Sequence, residues 1–311
     1  MTSNIGSKKW LVLFSVMLLG VSTSLVTVNY FIDYYGLFRG IEGKKLIPND
    51  NFRLAKYLYS YNYIPVNYDG ILIGTSPSMN LDSSKIVNKN VYNISLDGAN
   101  ISEQKLIADL VISKGQISLI VFTIHPYMTK DFGPKTPYMV PREYYGALGN
   151  IQLLKEYLHW AAARLDLYHN QYKVDENGVF DYEYPISVVS KFQSDPGPFD
   201  KGGPGKAVVN EMALDEYKQL VHAARSHGAK LVGLIPPIYS EQYLADKDYY
   251  DNYFKLMSDL FLPDERIINF NLPQYSKYTD DVTNFQDTVH LSRKGAEKFS
   301  LEFASHIDSL L

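Results

Sequence analysis

DGILIGTSPSMN, residues 69–80, decides how the chain is read. Gly70 to Ile73 is a short apolar run closed by Gly74, the pattern of a strand buried on both faces. The glycine predicts a sharp turn of the backbone, and Pro77 or Ser78 predicts the start of a helix. A serine at such a junction stands at the C-terminal end of a strand, the edge where open α/β sheets bind ligands. A helix N-terminus there also favours developing negative charge. Serines at this position serve as helix caps as well. Ser78 is the better candidate for the cap and Ser76 for a nucleophile.

A serine nucleophile needs a base within hydrogen-bond reach, and the base needs a group to orient it. TNFQDTVHLSRKGAEKFS, residues 283–300, offers both: Asp287 and His290 lie in a loop just before an amphipathic helix. That loop can fold back so that the carboxylate meets one ring nitrogen while the other faces Ser76. The inference requires two distant ends of the chain to meet.

Between them an α/β rhythm runs. Val91–Ser95, Ile117–Ile124, Lys230–Ile235 and Arg266–Phe270 read as further strands. Helices are expected from Asn100 or Ser102 to Ser113, from Ile151 to Tyr168, from Leu214 to Ser226, from Tyr249 to Leu262, and at the C-terminus. Alternation of this kind implies a parallel sheet with right-handed crossovers. Residues 127–210, which include SDPGPFDKGGPGK, interrupt it as an insertion, read either as a lid carrying specificity or as a packed excursion. His125, at the end of the third strand, is a candidate oxyanion donor or a hydrogen-bonded structural histidine. No metal-ligand spacing, phosphate loop or dinucleotide fingerprint occurs, so no metal and no cofactor are expected.

These motifs resemble those of the SGNH (GDSL-like) hydrolases, in the membrane-anchored bacterial branch that serves cell-surface polymers. Gly74-Thr75-Ser76 matches that family's nucleophile block, and Asp287 and His290 its late Asp-x-x-His block. Gly98, in NISLDGANISEQ, fits the glycine that lends its amide to the oxyanion hole. The third block, Gly-x-Asn-Asp, is missing; FTIHPYMTKD stands there, so the asparagine donor is absent or replaced. The resemblance covers roughly residues 68–311. It implies a three-layer α/β/α sandwich with a central parallel sheet, and acyl transfer through Ser76, His290 and Asp287. It also implies O-acetylation or deacetylation of an exported polysaccharide, beside a multipass membrane acyltransferase that supplies the acyl group. A role like D-alanyl transfer to teichoic acid is an alternative, as is a non-catalytic polysaccharide-binding or assembly protein.

Residues 1–9 form a polar tail ending in Lys8 and Lys9, and residues 10–32 run without a charge. That is long enough to cross a bilayer. A cleavable signal peptide is the rival reading, with Val21-Ser22-Thr23 as a weak site. Trp10, Tyr30, Tyr34 and Tyr35 suit the two interfaces. Arg39, Lys44 and Lys45 follow the span, so the charge count alone does not orient it; an extracytoplasmic domain is what the resemblance implies. Residues 33–67 read as a juxtamembrane connector and 68–311 as the catalytic domain. The net charge of -4, with no basic stripe, argues against nucleic acid. The lack of cysteine excludes disulfides and thiolate chemistry. The 26 tyrosines suit sugar clefts in part, and amphipathic packing for the most part.

Overall fold

The computed structural model describes residues 4–39, 42, 51–167, 173–181 and 209–311. The expectations placed on Lys44 and Lys45 and on SDPGPFDKGGPGK lie outside these residues. A long helix, α1 (Asn4–Ile32), leads into α2 (Phe52–Tyr59) and α3 (Tyr63–Asn67). The strand β1 (Gly70–Ile73) follows, then β2 (Val91–Asn93), α4 (Ile101–Lys114) and β3 (Leu119–Thr123). Next come α5 (Arg142–Gly149), α6 (Gln152–Arg164) and a hairpin of β4 (Lys173–Val174) and β5 (Phe180–Asp181). The chain closes with α7 (Glu211–Ser226), β6 (Lys230–Ile235), α8 (Ser240–Ala245), α9 (Lys247–Ser258), β7 (Arg266–Asn269), α10 (Ser276–Thr279) and α11 (Arg293–Asp308).

Five strands form one parallel sheet in the order β2-β1-β3-β6-β7. Their side chains alternate between two cores, as the pleat requires. Ile71, Ile73, Ile120 and Phe122 pack with Ile107 and Val111 of α4 and Leu220 and Val221 of α7. Leu72, Leu119, Val121 and Val232 face the other way, onto Phe299, Phe303 and Ile307 of α11. The result is a three-layer α/β/α sandwich. The strand order reverses between β1 and β3, which opens a crevice at their C-terminal ends.

Two local expectations need correction. No α-helix follows β1. Ser76–Ser78 is one 3₁₀ turn, and the connection to β2 runs through a second such turn, Ser83–Lys85. Side chains take the bonds a helix would make: Asp82 accepts from the Ser84 amide, and Ser300 Oγ accepts from the Asp82 amide. Ser76 therefore has no helix dipole behind it. Ser78 is not a cap either. Its Oγ donates to the Thr75 carbonyl and meets the hydroxyls of Ser95 and Thr123, tying the ends of three strands together.

Gly74 is needed for space, since its φ is not in the left-handed region. A Cβ there would overlap Ser78 Oγ and Thr123 Oγ1. Gly74→Ala is expected to cost about 1–3 kcal/mol of stability, the usual range for overpacking a core. Denaturant unfolding checks this: an unchanged midpoint would mean that the serine turn is looser than its contacts imply.

The tyrosines are mostly structural. Tyr34, Tyr35, Tyr59, Tyr63 and Tyr92 are buried and touch ring to ring. Beneath them Lys56 of α2 is fully buried, and its Nζ donates to the carbonyls of Ser95 and Gly178. Burial pushes this amine down to about 7, against the raising pull of the Asp175 and Asp97 charges. The unfolded chain then binds the extra proton between about pH 7 and the free amine value near 10.5, so stability rises with pH across that window. Lys56→Met is expected to flatten a slope of up to about 1.4 kcal/mol per pH unit. Thermal melts across the lower half of the window measure it, and equal slopes in the two proteins would refute it.

Candidate active site

Ser76 leaves the end of β1 and is 8% exposed. Its Oγ stands 2.7 Å from His290 Nε2, and His290 Nδ1 stands 2.6 Å from Asp287 Oδ2. The tautomer follows from these partners. Nδ1–H donates to the carboxylate, which leaves Nε2 free to accept the serine proton.

The loop that carries the pair is built to hold this shape. Asp287 Oδ1 accepts from the amides of Val289 and His290, at 2.9 and 2.8 Å. Phe285 and Leu291 bridge across the loop base, where the Gln286 amide donates to the His290 carbonyl. Ser292 caps α11, its Oγ accepting from the Gly295 amide, and donates to the Thr283 carbonyl. Gly295 fits because a Cβ would overlap the Asn284 carbonyl. Besides the His290–Ser76 contact, a second bond ties the loop to the segment after the serine turn: Asn80 Nδ2 donates to the Leu291 carbonyl at 2.9 Å.

Burial raises the Asp287 carboxyl, but the His290 hydrogen bond and charge and the two amides outweigh it and hold the group below its usual value. Asp287 is thus an anion at neutral pH, able to stabilise a charged imidazole.

His125 lies at the end of β3, on the opposite lip of the crevice, and is completely buried. Its Nδ1 accepts from the Tyr127 amide at 3.3 Å, so the ring proton sits on Nε2. That Nε2 has no hydrogen-bond partner among the described residues. Burial, followed by the charges of His290 and Lys130, pushes the ring down to about 3, so it is neutral. An unpaired buried donor that feels the His290 charge is an exception to the usual pairing of buried polar groups and needs an explanation.

No protein-family model matches the chain, and no curated protein does. Among solved structures it is similar to one described as a platelet activating factor from Streptococcus pneumonia. The TM-score is 0.44 and the identity 12%, over 83% of this chain and 91% of that one. It is also similar to the lipase/acylhydrolase from Enterococcus faecalis, with a TM-score of 0.35 and 11% identity, over 77% of this chain and 95% of that one.

Gly98 sits in the exposed turn before α4, in the left-handed region with φ 56°. Two residues earlier, Leu96 bridges to Thr75, and the Leu96 amide donates to the Gly74 carbonyl. The turn is therefore in register with the serine loop, although no hydrogen bond joins Gly98 to Ser76 among the described residues. Arg53 holds the turn through Asp97, at 3.2 Å, and Lys135 Nζ donates to the Gly98 carbonyl.

Sequence reasoning passed over Asn80 and Thr75. Thr75 Oγ1 and Asn80 Oδ1 are buried in and beside the serine turn without a partner among the described residues. Both look like ordinary turn residues in the sequence; only a buried, unpaired oxygen distinguishes them.

Proposed function

We propose that the chain is a serine-dependent acyl-transfer enzyme of the SGNH kind. The observation that supports this is the continuous pair of hydrogen bonds from Asp287 through His290 to Ser76. In this reading His290 Nε2 takes the Ser76 proton as Oγ bonds to the acyl carbon. The imidazolium then returns that proton to the departing alkoxide, which leaves an ester on Ser76. A second hydroxyl, from water or from a sugar, attacks the ester with His290 again as base. His125 Nε2–H serves the oxyanion in place of the family's asparagine. The Gly98 and Ser76 amides complete the hole by resemblance to the same family.

The proposed substrate is an exported cell-surface polysaccharide, the acyl acceptor in O-acetylation or the acyl donor, with water as acceptor, in deacetylation, and α1 is a single-pass anchor. The domain would then lie outside the membrane beside a multipass partner that supplies the acyl group. What favours a membrane-bound enzyme is the helix from Lys8 to Ile32: it is long and apolar enough to cross a bilayer, and its most apolar 18 residues are not buried against the protein.

Intact mass spectrometry of the full chain after p-nitrophenyl acetate tests the chemistry. An acetyl adduct, or nitrophenol release, that is lost in Ser76→Ala is the expected result. Turnover surviving in that variant would overturn the assignment. Added glycan acceptors then divide transfer from hydrolysis.

A further inference from the structure

The last turn of α1 does not end in a loose tether. Asn29 is buried, and its Nδ2 donates to the carbonyls of Leu148 and Asn150, at 2.8 and 3.3 Å. Tyr157 of α6 donates to Asn29 Oδ1 at 2.8 Å. Asp33 then turns the chain by accepting from the amides of Leu37, Phe38 and Arg39, and Tyr34 packs on Tyr157. These bonds place the α5–α6 junction where the apolar span ends.

Along α6 and at its two ends runs an apolar row that is largely exposed. Leu154 and Leu158 lie in the helix, Ile151 directly before it and Leu165 directly after it, at the spacings of three, four and seven that mark one helix face. Ile151 is 66% exposed, and Leu158 and Leu165 are each 70% exposed. Leu153 and Tyr157 take the inward side of the same helix. Lys155 and Arg164 flank the row, as basic residues flank the apolar face of helices that lie in a membrane surface.

Resting on the reading of α1 as a retained anchor, we propose that α6 lies on the lipid surface, its apolar row seated in the headgroup boundary. The occupant is lipid because the row starts next to Asn150, the residue bonded to the end of the span, and continues the span's exposed apolar surface. Such contact holds the sheet at one orientation to the bilayer, so that the serine crevice meets its acceptor from a constant side.

The absence of native cysteine makes the test direct. Leu158→Cys, Leu18→Cys in the middle of the span and Lys218→Cys at an exposed position of α7 each take one environment-sensitive fluorophore. The full chain is reconstituted in protein-free vesicles of phosphatidylcholine and phosphatidylglycerol, with and without brominated acyl chains. The proposal expects bromine to quench most of the emission at positions 18 and 158 and to leave 218 unchanged. Quenching at 18 with none at 158 overturns the lipid contact, keeps the anchor, and assigns the row to a protein partner. Absence of quenching at 18 overturns the anchor itself, and the lipid contact with it.

Discussion

Ser76→Ala and His290→Ala are each expected to lower kcat for a soluble ester by roughly 10⁶-fold, and Asp287→Ala by about 10⁴-fold. In the proposed mechanism the three act as one unit. Without Ser76 there is no atom to bond to the acyl carbon. Without His290, whose Nε2 stands 2.7 Å from Oγ, the Oγ proton has no acceptor. Asp287 works at one remove: it sets the tautomer through the 2.6 Å bond to Nδ1, so water partly substitutes when it is gone. Non-additivity is therefore the sharper result. The Ser76→Ala, His290→Ala double variant should be no slower than either single one. Steady-state rates measure both effects. A double variant whose losses multiply would show two independent sites of action, and the serine mechanism would have to be abandoned.

His125→Ala is expected to lower kcat by about 100–1,000-fold with little change in KM, the effect of removing one oxyanion donor. His125→Gln, which keeps an N–H at similar reach, should recover part of the loss. The physical basis is the ring's orphaned Nε2, buried at the crevice beside a base whose charge it feels. A kcat unchanged in the alanine variant would make His125 purely structural. The same residue has a stability signature of its own. The folded ring is pushed down to about 3, whereas the free side chain titrates near 6.5. Below 6.5 the unfolded chain therefore takes up a proton that the folded one refuses. The stabilisation is fully present above that value and is lost as the pH falls towards 3. His125→Gln should remove this part of the acid limb even if catalysis were unaffected, so the two readouts separate donor chemistry from packing.

Much of the fold is legible along the chain because its cause is local. A sheet buried on both faces needs continuous apolar runs, and GILI, LIVF and KLVGLI are such runs, bounded by turn residues. Asn100 at the start of α4 and the His227-Gly228 end of α7 are caps that act within one turn, and both stand where their residue types place them. The helix expected after Ser76 fails for a non-local reason. The segment's hydrogen bonds are taken by Asn93 and Ser95, Thr123 and Ser300, from three other parts of the chain. Pro77 and its neighbours do not reveal this, because local propensity is a weak prior against such partners.

By itself the sequence determined the kinds of residue at the site: a serine after a buried strand, and an aspartate three residues before a histidine. It also determined the apolar helix at the N-terminus. Only tertiary structure brought Ser76 to His290, 214 positions away, within hydrogen-bond distance. The parallel sheet sets β1 beside β3, and α11 packs against the opposite core, which carries the Asp287 loop to the serine turn. Tertiary structure also left the His125 donor unpaired and joined α6 to the end of α1. Spacing along a chain states which groups are available; burial and the closing of long loops decide which of them meet, and which are left waiting for a ligand.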